Sequence, residues 1–284
     1  MSVPFVVGVT GGESLKQDVI KMLAPDGLVI VRRLQALLLC CANIELRWHD
    51  LAVAAADMEP SAPALLEIES AAKVSPSRLH GRGLYAARDL KAGTLLTLYP
   101  IHAIGDADHS LTLDDSGHFD RATTWPYRVS CSHDGLERMG LPGDIWLDAN
   151  PEAALAAGWL GHMVNDAAVV ASGSDADIEE YYEAARGQAN VVLVPLSEAP
   201  PLMGWVTRCA IERGTECVGT YGHDYWLSRD GGRPPAYTDR VLQAAKSGWK
   251  AEQSRAQQEV ARRYVHETAL LGALLESAVE GADG

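Results

Sequence analysis

The sequence predicts a mostly β protein with some α-helix: short strands in small sheets, followed by a long helical segment. Three observations point there. From Leu65 onward, brief apolar stretches such as TLLTLYP, DIWLDAN, QANVVLVPL and GWVTRCAI are separated by turns rich in Gly, Pro and Asp. Apolar residues make up 47% of the 284-residue chain, enough to bury a core and too many for a disordered one. Beyond GGRPP, Val241, Leu242, Ala245, Trp249, Val260, Tyr264, Leu270, Leu271 and Leu274 recur as an apolar stripe at helical spacing.

Taken in order, PFVVGVTGG reads as a strand entering a turn, and a helical stretch follows from about Ser14 to Leu23. The turn is not a phosphate loop, because G-x-x-x-x-G-K-(S/T) counted from Gly8 puts Glu13 at its second glycine. GLVIVRR is strand-like, and LQALLLCCANIELRWHDLAVAAA reads as one or two buried helices. EPSAP, Glu59 to Pro63, marks a boundary, so residues 1–63 form an N-terminal α/β flank. Residues 64–228 then form the central region, with insertions at about 102–145 and 167–188. ALLEIESAAKV and RLHGRGLYAARDLKAGTLLTLYP read as strands with tight turns. PEAALAAGWLGHMVNDA reads as helical or semi-helical, and SGSDADIEEYYEAARGQ as an acidic surface insertion. ERGTECVGTYGHDYW is a turn, a short strand and an aromatic cluster. Residues 229–284 form a helical extension.

Composition narrows the function. With 24 basic against 38 acidic residues, the net charge is -14. That argues against direct nucleic-acid binding, which needs clustered Lys and Arg, and favours a basic partner. Cys40, Cys41, Cys131, Cys209 and Cys217 are odd in number and include no C-x-x-C pair, so neither a disulfide framework nor a cysteine zinc site is expected. The longest apolar run is too short to span a bilayer, and the N-terminus lacks a signal-peptide pattern. The expectation is an intracellular protein, nuclear or cytoplasmic, without membrane association. His102, His109, His118 and His133 lie among Asp106, Asp108, Asp114, Asp115 and Asp120, but at spacings that match no known ligand set. That stretch reads as a solvated insertion, with no metal site expected.

Three separated segments carry the chemistry. The first is Gly81-Arg82-Gly83-Leu84-Tyr85-Ala86, followed by Lys91-Ala92-Gly93 and Tyr99. The second is His162-Met163-Val164-Asn165-Asp166-Ala167-Ala168. The third runs from Ile211 to Trp226, with Gly214, Glu216, Tyr221, Gly222, Tyr225 and Trp226. Glycine suits places where main chain must approach a ligand closely. An asparagine both donates and accepts through one side chain. Together and in this order, the segments resemble those of the SET-domain protein-lysine methyltransferases, over roughly residues 66 to 228. The matching family patterns are G-R-G-(L/F)-(F/Y)-A, R-F-(I/V)-N-H-S-C and I-x-x-G-E-E-(L/I/V)-x-x-x-Y-G-x-x-Y-W.

The resemblance implies a SET fold with a knotted-like C-terminal threading. It implies S-adenosylmethionine (SAM) as methyl donor and a lysine-containing protein or peptide as substrate, with histones one possibility. It makes Tyr221 the catalytic residue, whose hydroxyl lies beside the transferring methyl and aligns the lysine amine. It places Arg82, Gly83, Leu84, Tyr85, His162, Asn165, Asp166, Tyr225 and Trp226 at the cofactor, and Tyr99, Tyr127 and Gly219 at the substrate channel. Asp166 stands where the family has histidine, and His162 where it has arginine. Gly219, two before Tyr221, stands where the family often has Phe or Tyr, which implies a roomier lysine pocket and multiple methylation. No cysteine cluster follows Trp226, so no zinc is expected, and the segment with Tyr237 and Trp249 is the available lid. Two other readings remain: a SET-fold binding or scaffold protein without catalysis, and a hydrolase or metal enzyme using His162 and Asp166 on one helical face.

Overall fold

The computed structural model describes residues 67–105, 110–112, 125–132, 144–170, 172, 174–197 and 202–228, with isolated positions at 34, 38, 41, 42, 45, 254–256, 258 and 259. Apart from those positions, the expected flank at 1–63, the extension at 229–284 and most of the 102–145 insertion lie outside the described residues. So do His109, His118, His133, Tyr237 and Trp249.

In chain order the elements are α1 (Ile68–Ala71), β1 (Ala72–Pro76), β2 (Arg82–Ala86), β3 (Leu95–Leu98), β4 (Ala103–Gly105), β5 (Ser110–Thr112), β6 (Arg128–Ser132) and β7 (Asp144–Asp148). They continue with β8 (Asn165–Asp166), α2 (Asp175–Gln188), β9 (Val191–Ser197), β10 (Leu202–Thr207), β11 (Glu216–Gly219) and α3 (His223–Ser228). The described residues thus form mostly small sheets with few helices. Strand order is β1-β2-β11-β8 in one sheet, β3-β10-β9 in a second and β5-β4-β7-β6 in a third.

Turn chemistry explains the first sheet. β1 and β2 pair antiparallel from Ala72↔Ala86 to Pro76↔Arg82. The connecting turn closes at Gly81, whose φ of 50° is a backbone conformation that favours glycine. β11 then pairs antiparallel with β2 through Glu216↔Tyr85 and Cys217↔Leu84, and parallel with β8 through Val218↔Asn165 and Gly219↔Asp166. Leu84, Ala86, Leu90, Leu96, Leu160, Val164, Val191, Trp205, Ile211 and Cys217 fill the core between the first two sheets. A second core gathers Tyr99, Ile101, Ile104, Leu111, Ile145, Leu147 and Met203, and takes in Leu34, Leu38 and Cys41 from the N-terminal flank.

Three elements differ from expectation. In ALLEIESAAKV, Ile68–Ala71 forms one helical turn before β1 begins. PEAALAAGWLGHMVNDA is not a helix but an irregular run with a 3-10 turn at Gly161–Met163, ending in β8. Beyond short local turns, its polar groups bond across to β3. Leu160 N donates to Thr97 Oγ1 (2.8 Å), while Gly158 O accepts from Thr97 Oγ1 (2.9 Å) and Leu98 N (2.7 Å). Gly161 sits so close that an added Cβ would lie 2.7 Å from Leu98 O. His162 and Asp166 therefore share no helical face.

The acidic stretch after it is helix α2, with Ser174 as N-cap accepting from Asp177 N (3.2 Å). Its acidic first turn and Arg186 in the last turn suit the helix dipole. It is a surface segment on one side only, since Ile178, Tyr181, Tyr182 and Ala185 are buried.

Candidate functional site

The three chemistry-bearing segments, separated by up to about 140 residues of chain, become adjacent strands β2, β11 and β8. Their side chains form one polar network. Asn165 Nδ2, buried, donates to the carbonyls of His80 (3.2 Å) and Arg82 (3.1 Å) and to Glu216 Oε1 (3.0 Å). All three partners are acceptors, so the amide nitrogen is committed to the protein and only Oδ1 remains for a ligand. Tyr85 Oη lies within hydrogen-bond distance of two acceptors, Glu216 Oε2 (3.1 Å) and Pro76 O (3.0 Å), which compete for its one proton. Burial, then the neighbouring Glu216 carboxylate, raises the Tyr85 pKa. Glu216 thereby bridges β2 and β8, a role that its place in the motif alone did not reveal.

Gly83 is required by this bridge. A Cβ there would lie 2.2 Å from Glu216 Oε1 and 3.0 Å from Asn165 Nδ2. Leu84 is fully buried and paired on both sides, to Val74 and Cys217, so its main chain belongs to the sheet. The β11 pairing stops there. Arg82 and Gly83 are the part of this strand whose β11-facing edge lies outside the ladder, and the exposed Arg82 side chain reaches Pro151 O (3.3 Å).

Asp166 is an acceptor hub. Its Oδ2 receives Tyr181 Oη (2.6 Å), Trp226 Nε1 (2.9 Å) and Tyr221 N (3.0 Å), and its Oδ1 receives Ala168 N (3.2 Å). Burial raises its pKa while these four donors act in the opposite direction. The carboxylate faces into the protein, where these four donors occupy it. Among the described residues, no group of His, Cys, Asp and Glu is arranged to hold a metal ion.

Tyr221 lies two residues past the end of β11. The residue is 36% exposed, whereas its hydroxyl turns inward and donates to Val164 O (2.7 Å). Burial of that end, with Tyr225, Asp166 and Tyr127 nearby, pushes the phenol pKa up, so it stays protonated. Tyr225 packs edge-on against it at 4.7 Å, and Trp226 stacks at 6.4 Å with 20° between planes. Tyr99 is buried and donates to Tyr127 O (2.6 Å). Its raised pKa, due first to burial, also reflects Tyr221, Tyr127 and Tyr225. Thus Tyr99, Tyr127, Tyr221 and Tyr225 gather in one aromatic neighbourhood.

His162 is 6% exposed, and neither ring nitrogen has a hydrogen-bond partner among the described residues. Tyr127 lies edge-on at 6.1 Å. Burial, then His102 and Arg82, lowers its pKa to about 3, so the ring is neutral. Thr220 Oγ1, beside Tyr221 in sequence, is also buried without a partner.

At Gly219 the structure corrects the expectation of a roomier pocket. A Cβ would meet the Trp205 ring at 2.2 and 2.5 Å, so the indole already fills that space. Trp205, from β10, holds its position by donating Nε1 to Gly161 O (2.8 Å). Trp205 and Tyr181 escaped sequence reasoning because neither belongs to the three segments.

Among solved structures, the crystal structure of CpSET8 from Cryptosporidium matches with a TM-score of 0.36 and 16% identity, covering 56% of this chain. The chain spans 60% of that structure's length, and the likeness is weak. No family model matches the chain, and no curated protein does.

Proposed function

We propose that this chain is a SAM-dependent methyltransferase of the SET-domain type, acting on the lysine side-chain amine of a protein or peptide substrate. The observation that carries the reading is the meeting of the three segments as strands β2, β11 and β8, with Tyr221 at the exit of β11. The reading assigns residues 64–228 to the SET domain, with a knotted-like threading at its C-terminal end, and residues 229–284 to a helical extension.

The residues present fit the cofactor at specific atoms. The ring nitrogens of His162 lie buried without partners, and a neutral imidazole offers one donor and one acceptor. Asn165 adds an acceptor through Oδ1, which suits an ammonium. Its nitrogen is not available, so the asparagine would hold only one half of a zwitterion. When bound, SAM would supply a methyl group activated by a sulfonium centre. The chain's part is alignment: orientation contributes up to about 7–11 kcal/mol in well-arranged reactions. Tyr221 keeps its proton and is anchored at Val164 O, so it serves as a positioned oxygen rather than a base. An incoming lysine passing Tyr99, Tyr127 and Tyr225 would lose solvent, which favours the neutral amine. The charge of -14 suits a basic substrate, and the setting is proposed to be intracellular. Gly219 no longer argues for multiple methylation, because Trp205 occupies its space.

Calorimetry with SAM tests the first step, and methyl transfer to a mixed panel of histones and other proteins tests the second. Absence of binding heat at high protein concentration would sink the reading. A binding protein without catalysis is the second reading, favoured by the internal commitment of Asn165 Nδ2 and of the Asp166 carboxylate. SAM binding with no transfer to any substrate would select it.

A further inference from the structure

We infer that Tyr181, on helix α2, is a positioning residue that acts with Asp166 to set the main chain of Tyr221. The inference rests on the methyltransferase reading above for its kinetic consequence, though not for its geometry. After β11 ends at Gly219, the chain leaves the sheet, and Gly222 adopts a φ of 90°. The two consecutive amides that follow have no strand to bond. Tyr221 N donates to Asp166 Oδ2 (3.0 Å), and Gly222 N donates to Tyr181 Oη (3.0 Å). Tyr181 Oη in turn donates to the same Asp166 oxygen (2.6 Å). A carboxylate and a phenol joined to each other therefore grip adjacent amides.

The phenol uses its single proton on Asp166 and a lone pair on Gly222, so it alone links the acid to the second amide. Phenylalanine at 181 would fill the same space while leaving Gly222 N without its acceptor. Packing makes the grip firm. Tyr181 is 2% exposed and lies edge-on to Tyr182 at 5.1 Å, in a cluster with Val170 and Ile178. Trp226, bonded to the same carboxylate, stacks on Tyr221 from the other end of the motif. Tyr221 is thereby held at its amide by Asp166, at its hydroxyl by Val164 O and at its ring by Trp226. The helix that carries Tyr181 thus adds an anchor from outside the three motif segments.

Alignment chemistry is sensitive to such anchoring, since a displacement of about 1 Å can cost on the order of 100-fold in rate. In the full-length protein, Tyr181→Phe is expected to lower kcat about tenfold, with KM for SAM and for peptide within about twofold. Tyr182→Phe removes a different hydroxyl, bonded to His223 Nδ1 (2.7 Å), and is expected to leave kcat within about twofold. Asp166→Asn keeps an acceptor oxygen and carries the same test if Tyr181→Phe does not fold. The double variant should be no slower than the slower single one, because both substitutions break one unit.

Hydrogen exchange provides a readout independent of activity. The Tyr221 and Gly222 amides should exchange faster in Tyr181→Phe than in wild type, while β2 is unchanged. Unchanged exchange there would overturn the inference whatever reaction the protein performs. Unchanged kcat in an active, folded Tyr181→Phe enzyme, or independent multiplication of the two effects, would overturn it as well. An inactive wild type removes the methyltransferase reading, and the exchange experiment still decides the grip.

Discussion

Asp166 and His162 lie four residues apart in one segment, both buried and both polar, and they are opposites. Asp166 receives four donors, whereas neither ring nitrogen of His162 has a partner among the described residues. A buried polar atom without a partner costs about 1–3 kcal/mol. Leaving such a cost at His162 while saturating Asp166 separates two kinds of buried polarity. The saturated group organises the protein, and the unsatisfied one is where the proposed cofactor would have something to complete.

The sharpest way to break this contrast is to replace each residue by leucine. Asp166→Leu strands buried donors from three separate elements and should lower stability to urea by about 3–5 kcal/mol. His162→Leu removes two unpaired nitrogens and should leave stability within about 1 kcal/mol of wild type, or raise it, while abolishing SAM binding in calorimetry. Equal losses of stability in the two variants would erase the distinction.

Next in size is Tyr221→Phe, which removes the hydroxyl anchored on Val164 O. Methyl transfer should slow about 10²–10³-fold, the loss typical of one oriented polar group. An unchanged rate would move the catalytic assignment elsewhere.

Acid sharpens the comparison from the histidine side. His162 and His102 have pKa values lowered by burial to about 3 and about 4, from an ordinary 6.5. The unfolded chain therefore binds more protons than the folded one between about pH 6.5 and the lowered values. Stability from these groups is complete above pH 6.5 and falls as pH drops, by up to about 1.4 kcal/mol per pH unit for each histidine. Denaturant unfolding at pH 7 and pH 5 measures it, and His162→Leu should remove its own share of the slope.

The smallest expected effect is at Gly219. Gly219→Ala forces a methyl group against the Trp205 indole and should destabilise by about 1–3 kcal/mol in thermal or urea unfolding. Pairing it with Trp205→Leu should recover part of that loss, since the smaller side chain vacates the space.

Legibility in the sequence followed the range of the interactions. Gly81, Gly93, Gly214 and Gly222 all have positive φ, a local requirement that fixes residue type, so the turns around the strands could be read directly. The middle segment misled because its apolar spacing suits a helix, while its actual bonds run to Thr97 and Leu98 on another strand. Asp166 was visible as an unusual letter but not as a hub. Its partners come from positions 15, 55 and 60 residues later in the chain. The space at Gly219 was misjudged for the same reason, because Trp205 reaches it from β10. Local conformational demands were legible, and occupancy of space by distant side chains was not.

Strand β8 is only two residues long, and it pairs parallel with β11, whose first residue comes fifty positions later. So short a parallel partner has no hairpin to nucleate it and little pairing of its own. During synthesis, α2, β9 and β10 all emerge before the strand that β8 needs. Closing that long loop carries an entropic penalty before any contact compensates it, as with other non-local pairings. The candidate site is therefore among the last parts of this region to form, and a nascent chain halted before Glu216 would carry Asn165 and Asp166 without the strand they pair with.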